Sequence, residues 1–411
     1  MSQIKQEYVH CLKRLAEQIT DENISSYWAG FHIYPFAIYD DEWVYVASHP
    51  ELPEDFTEID HQLSVGPRTN HFIGNTAIEF AGEKMGIWKV DLEQVKDFDK
   101  LYAGMVHELF HVYQQEFGEK RFANELLFIQ YPFTESNIAH RLMERESLYR
   151  AVLEDDPIKK HAYVKDFILH RETRRNEIET FLDYELAIET IEGTATYVEL
   201  QACVDQKALQ RESIISHYGK NLQEHQEMLA KFRASCYYSG QFIGLLLDHY
   251  EPGWQLEFMN APDYLYDFFI KKVDAQIENE VELTSQHIEL SKQLVQEYSQ
   301  KQKEELAGFF QTNKNIVTIK GHMKLTGFDP MNIISEGEKL LHKHVIKIQT
   351  QSDEYVIFGP VLAQHTTDLW EIDTISFYVE YPVDMNGDSL KVEKVGEWKG
   401  TWVDSVFYLK T

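Results

Sequence analysis

At 411 residues the chain is long enough for two or three domains, and 43% hydrophobic residues with 24 Phe, 23 Tyr and 7 Trp exclude a disordered polymer. The 39 Lys and Arg stand against 68 Asp and Glu, a formal net charge of −29 that repels nucleic acid and anionic lipid and favours a neutral or mildly basic peptide partner. Three cysteines without a CxxC pair give no disulfide framework, no apolar h-region follows the first charges, and no apolar run reaches about 18 residues; a cytoplasmic protein with no membrane partner is expected.

Taken in chain order, Ile4, Tyr8, Cys11, Leu12, Leu15 and Ile19 share one face at helical spacing. Alternating runs then predict strands over 31–39 and 42–48, a hairpin turning at Asp40 and Asp41. Two more are predicted over 71–80 and 85–92, with a turn at Gly82. From 97 to 310 the pattern is helical. A first helix starts near Asp97 and stops at Gly118, where glycine suits a C-terminal cap; others follow near 134–154, over 158–204 and 208–249, each with room for a break, and across 264–308. The last carries a thin apolar stripe of Val273, Ile277, Val281, Ile288 and Val295. Beyond 311–317, IVTIKGH, HVIKIQT, EYVIFGP, ISFYVEY, LKVEKV and SVFYL predict about six strands, a sandwich or partial barrel, in which His342 and His344 form a solvent-facing pair. The expected fold class is α+β: a domain of residues 1–310, with a small N-terminal sheet in 1–95 and a helical body in 97–310, then an all-β accessory domain in 314–411.

His107-Glu108-Leu109-Phe110-His111 is an HExxH motif inside an apolar helical segment. Residues four apart lie on one helix face, so both imidazoles can reach one metal ion; Glu108, about 100° away, can act on a water without ligating the metal. Surface histidines on an ordinary helix are the plainer alternative. A catalytic zinc needs a third protein ligand and a vacant position. Glu185, Glu189 and Glu192, four and three apart on a later helix, offer carboxylates on one side, unless they only form a solvated acidic face.

HELFH followed by EGTATYVE (192–199) resembles the gluzincin zinc metallopeptidases, notably their aminopeptidase-like core with HExxH and a later E-G-x-A-x-Y-x-E. The resemblance implies a thermolysin-like zincin core and a Zn2+ cofactor. It makes His107, His111 and Glu192 ligands, Glu108 the general base, and Tyr197 and Glu199 groups that orient the ligands. Residues 112–191 lie between the two pieces, a longer connection than that family uses, and an inserted pair of helices accounts for it. No G-x-M-E-N element lies upstream, so the resemblance is to the superfamily core.

An oxyanion-stabilising tyrosine is expected at Tyr238 or Tyr237, with His249 a weaker candidate. Arg141, Arg145, Arg171, Arg174 and Arg175 either grip a substrate carboxylate or form solvated ion-pair faces. The 71–80 strand is a candidate edge for β-pairing with an extended peptide. The expected function is a zinc metallopeptidase acting on a peptide or protein. The rivals are a catalytically silent, zinc-containing peptide-binding scaffold and a zinc hydrolase of non-peptide amides or esters.

Overall fold

A computed structural model describes residues 4–410 apart from 61, 207–210, 274–281, 312–313, 352, 367, 381–382 and 384–386. The fold is α+β in two compact units, one of Met1–Ala123, His140–Glu224 and Arg233–Leu283, the other of Asn124–Ala139, His225–Phe232 and Thr284–Thr411. This division differs from the expected boundary near 310: the second unit also takes in residues 284–310 and two short earlier segments.

In the first unit, α1 (Gln6–Gln18) buries Tyr8, Cys11, Leu12 and Leu15, the face its spacing predicts. After α2 (Asp21–Tyr27) come β1 (Phe36–Tyr39), β2 (Trp43–Ala47), β3 (Thr57–Asp60), β4 (Leu63–Pro67), β5 (Thr76–Phe80) and β6 (Glu83–Lys89). They form one sheet in the order β3-β4-β2-β1-β6-β5. The β1–β2 hairpin is antiparallel as expected, and so is β5–β6; β1 and β6 run parallel, Phe36 facing Gly86. Strands β3 and β4 were not expected, because β3 (TEID) is exposed along its length and shows no apolar alternation. Ala37, Tyr39, Val44, Val46, Phe72, Phe80, Met85 and Ile87 form an apolar cluster within this sheet region.

The helices are α3 (Leu92–Lys96), α4 (Phe98–Phe117), α5 (Leu126–Ile129), α6 (Glu135–Leu153), α7 (Pro157–Ile178), α8 (Leu182–Ile188), α9 (Thr194–Gln206), α10 (Arg211–Gln223), α11 (Phe232–Tyr250), α12 (Gln255–Asn260), α13 (Leu265–Lys272) and α14 (Ser285–Phe310). Gly118 caps α4 in the left-handed region at φ 86°, as expected. The long helices foreseen over 158–204, 208–249 and 264–308 are each divided. Between α7 and α8 the chain turns at Glu179, φ 47°; α8 and α9 are joined by a π-helical turn, Glu189–Gly193. Of the stripe foreseen on the last helix, Val273 follows α13, Ile288 is exposed and Val295 is half-buried on α14, while Ile277 and Val281 lie outside the described residues. Instead α14 buries Ser291, Leu294, Leu306 and Phe309. Helix α4 packs on β6 with almost no spacing: a Cβ at Gly104 would stand 2.4 Å from Trp88, and one at Gly86 would stand 3.2 Å from Leu109.

The second unit has ten strands among the described residues, where about six were expected. These are β7 (Asn315–Phe328), β8 (Ile333–Glu336), β9 (Lys339–His342), β10 (Val345–Gln349), β11 (Glu354–Phe358), β12 (Val361–His365), β13 (Glu371–Val379), β14 (Ser389–Val392), β15 (Gly396–Val403) and β16 (Val406–Leu409). They make one branched sheet in the order β14-β15-β16-β7-β13-β12-β9-β8, with β10 and β11 leaving it at β7. Its main core gathers Ile319, Met323, Ile346, Ile348, Phe377, Trp398 and Phe407; Leu306 and Phe309 of α14 join Ile334, Leu341 and Leu362 in a second cluster. His342 corrects the expectation of a solvent-facing pair. It sits on β9, flanked by β8 and β12 and opposite the buried Val361, and is only 1% exposed. His344 is exposed and bonds Asp329 at 2.9 Å.

Candidate metal centre

His107 and His111 lie one turn apart on α4 with their Nε2 atoms 3.1 Å from each other and ring planes at 77°. The opposite nitrogen of each ring is held. Nδ1 of His107 donates to Glu199 Oε2 on α9 at 3.1 Å, since a carboxylate only accepts. Nδ1 of His111 contacts Gln114 Oε1 at 2.8 Å. The Gln114 amide faces this way because its Nε2 donates to the Ile191 carbonyl at 2.9 Å and to Thr194 Oγ1 at 3.0 Å. With both Nδ1–H groups committed, each neutral ring presents its Nε2 lone pair inward.

Glu192 comes from the π turn, and its Oε2 lies 3.4 Å from His111 Nε2 and 3.7 Å from His107 Nε2. Two nitrogens and one oxygen that all accept repel at this range unless a positive charge lies among them. A proton meets one contact; a metal ion meets all three. Among the described residues this is the one group of three or more His, Cys, Asp or Glu side chains spaced to hold a metal ion. Burial alone would lift the Glu192 carboxyl, but His111, the hydrogen bonds to both histidines and the charge of Arg233 hold it well below the usual carboxylate range. Burial likewise opposes a charged His107, yet its contacts with Glu192 and Glu199 raise its pKa well above the ordinary histidine value.

Glu108 differs from every other acid here. It is 7% exposed, and among the described residues no group donates a hydrogen bond to its carboxylate. Burial raises its pKa, the histidine charges lower it, and the nearby Glu192 and Glu199 carboxylates raise it again. A desolvated carboxylate beside a triad spaced to hold a cation, with its lone pairs unspent, is suited to take a proton from a bound molecule.

The π turn is clamped from behind. Glu189, the alternative third ligand, points away from the histidines: Arg171 grips it at 2.5 and 2.8 Å and Ser239 Oγ donates to it at 2.5 Å. A Cβ on Gly193 would stand 2.5 Å from Gly240 Cα, so α11 meets the turn backbone to backbone. Four of the five arginines are neither substrate grips nor solvated faces. Arg141, Arg171 and Arg174 are buried and paired with Glu144, Glu185 and Glu189; Arg145 is buried against the carbonyls of Leu222 and Ser235. Arg175, partly exposed, pairs with Asp267 at 2.6 Å.

Two expected site residues fall elsewhere. Tyr197 does not orient a ligand; its hydroxyl donates to Asp248 at 2.8 Å. The helical screw explains it: five residues beyond Glu192 faces away, whereas Glu199, seven beyond, returns to the same side. His249 is exposed, against the Tyr250 ring. Of the tyrosine pair, Tyr237 is joined to the triad through Arg233. Sequence reasoning missed Gln114, although it lies seven residues after His107 on the same stripe. It also missed Arg233 and Tyr218, whose hydroxyl donates to Glu199 Oε1 at 2.9 Å; neither had a local signal. No protein-family model, curated protein or solved structure matches the chain.

Proposed function

We propose that this protein is a zinc-dependent metallopeptidase of the gluzincin type, with His107, His111 and Glu192 as ligands and Glu108 as general base. The observation that carries the reading is the convergence of two Nε2 atoms and one carboxylate oxygen at 3.1, 3.4 and 3.7 Å beside a buried carboxylate without a donor. Tetrahedral zinc with ligand bonds of about 2.0–2.1 Å needs ligand-to-ligand edges of about 3.3–3.4 Å, and the three edges scatter around that length. Calcium and magnesium prefer an all-oxygen shell, so two imidazoles favour zinc or a neighbouring transition metal. A thermolysin-like core is supported by a metal-binding helix packed on a small sheet and a second helix that brings the glutamate.

Zinc supplies a Lewis acid that polarises a carbonyl and acidifies water. The chain's own residues do the rest. Glu108 takes the proton from the attacking water and returns it to the leaving amine. Glu199 and Gln114 keep both imidazoles in the tautomer that ligates. Among the described residues strand β5 pairs only with β6 and forms the edge of the sheet, so an extended peptide chain can add there by backbone hydrogen bonds. Three buried free cysteines suit a reducing compartment such as the cytoplasm, and among the described residues no helix is long and apolar enough to cross a membrane.

The test is metal analysis of the purified protein with a peptide-library digest. Wild-type protein is expected to hold one zinc and cleave peptides; His111→Ala and Glu192→Ala lose the metal. Glu108→Gln keeps it while turnover falls about 10²–10⁴-fold. Zinc retained in Glu192→Ala refutes the ligand set. A wild-type protein that binds zinc and a peptide without cutting it is the scaffold instead, and one that cuts only non-peptide amides or esters changes the substrate class.

A further inference from the structure

The two oxygens of Glu192 have different surroundings. Oε2 faces the histidine pair, while Oε1 accepts a hydrogen bond from Arg233 Nη1 at 3.0 Å. Arg233 lies in the first turn of α11, one turn before Tyr237, whose hydroxyl accepts from the same guanidinium nitrogen and whose ring lies 5.6 Å from its Cζ. The Arg233 and Glu192 side chains are 17% and 15% exposed, so water competes weakly for the contact. A guanidinium keeps its charge at any working pH, and its planar fork is directional where an ammonium is not.

We propose that Arg233 is a positioning residue of the metal centre: by occupying Oε1 it makes Glu192 ligate through Oε2 alone. The inference rests on the metal-centre reading above and adds to it. A carboxylate with both oxygens available can chelate and take two positions around a metal. Restricted to one oxygen, it leaves two imidazoles and one carboxylate oxygen as the whole protein shell, with a position vacant for substrate or water. Arg233 thus protects the vacancy rather than filling it, and Tyr237 fixes the guanidinium in the orientation that reaches Oε1.

The full-length protein and its Arg233→Met, Arg233→Lys and Arg233→Leu variants are loaded with Co2+. Visible absorption and X-ray absorption fine structure are recorded together with thermal unfolding. Wild-type protein is expected to give the intense visible bands of a four-coordinate ion. In Arg233→Met the bands lose intensity and the shell gains one oxygen donor, whereas Arg233→Lys, which keeps a cationic donor near Oε1, holds or largely restores the wild-type spectrum. Should Arg233→Met not fold, Arg233→Leu, which likewise has no donor, is read in its place, with the same gain expected. A folded neutral variant whose spectrum and shell match wild type overturns the proposal and leaves the metal centre standing. Wild-type protein that takes up neither Co2+ nor Zn2+ overturns both.

Discussion

His342 offers a quantitative test of the packing in the second unit. Its ring lies between β8 and β12, with His365 6.2 Å away and Phe328 5.9 Å away, and neither of its nitrogens has a hydrogen-bond partner among the described residues. Burial, with a smaller contribution from His365, lowers its pKa from 6.5 to about 3. Between those values the unfolded chain holds a proton that the folded chain refuses, so unfolding takes up a proton and stability falls as the pH falls. At 1.36 kcal/mol for each pH unit below 6.5, going from pH 8 to pH 4 costs the fold about 3.4 kcal/mol through this one ring. The perturbation is His342→Leu, which deletes the titration but leaves that of His365 in place. Equilibrium urea unfolding at both pH values, read from hydrogen exchange in peptides covering β9 and β12, gives the stability of each protein. The variant is expected to gain about 3 kcal/mol on wild type in going from pH 8 to pH 4. A difference between the two proteins that stays within about 0.5 kcal/mol across that range refutes the reasoning, because an exposed or hydrogen-bonded imidazole has no such linkage.

Two further outcomes follow from the first unit. Gln114→Leu removes the acceptor that holds His111 Nδ1–H and is expected to weaken zinc binding by about 10–100-fold in chelator competition, with Gln114→Glu, which keeps an acceptor, losing less; unchanged affinity in the leucine variant shows that the tautomer is not set there. Arg171→Leu removes the one cation paired with the buried Glu189 among the described residues and leaves Glu144 with Arg174 alone; it is expected to destabilise by about 3–5 kcal/mol in urea unfolding. Adding Glu189→Leu costs less than the sum of the two single changes, and strict additivity shows that the pair is not coupled.

The legibility of the site followed the range of the interactions that build it. Helix periodicity put His107 and His111 on one face, and the EG pair with its later glutamate singled out Glu192 and Glu199; the three groups of the triad meet within 3.7 Å. Choosing between Glu189 and Glu192 was beyond periodicity, because the π turn, which rotates less per residue than an α-helix, shifts the helical phase between α8 and α9. That turn exists where Arg171, Ser239 and Gly240 brace it, and all three come from other helices. The arginine-rich segments read as charged helix faces, yet Arg141, Arg171 and Arg174 are buried because each meets a glutamate from another helix, and Arg145 because it meets backbone carbonyls.

By itself the sequence determined the local matters: the helical and β-rich stretches, the turn at Asp40 and Asp41, the cap at Gly118, and which residue types could ligate a metal. These depend on backbone preferences and on side-chain spacing within one element, both written in consecutive residues. Tertiary structure alone decided that β8, β9, β12 and β15 form strands, that His342 is buried, and that Gln114, Tyr218 and Arg233 surround the triad. Those outcomes are fixed by what lies across the gap from each side chain, and a neighbour brought close by folding leaves no mark at the position it will touch.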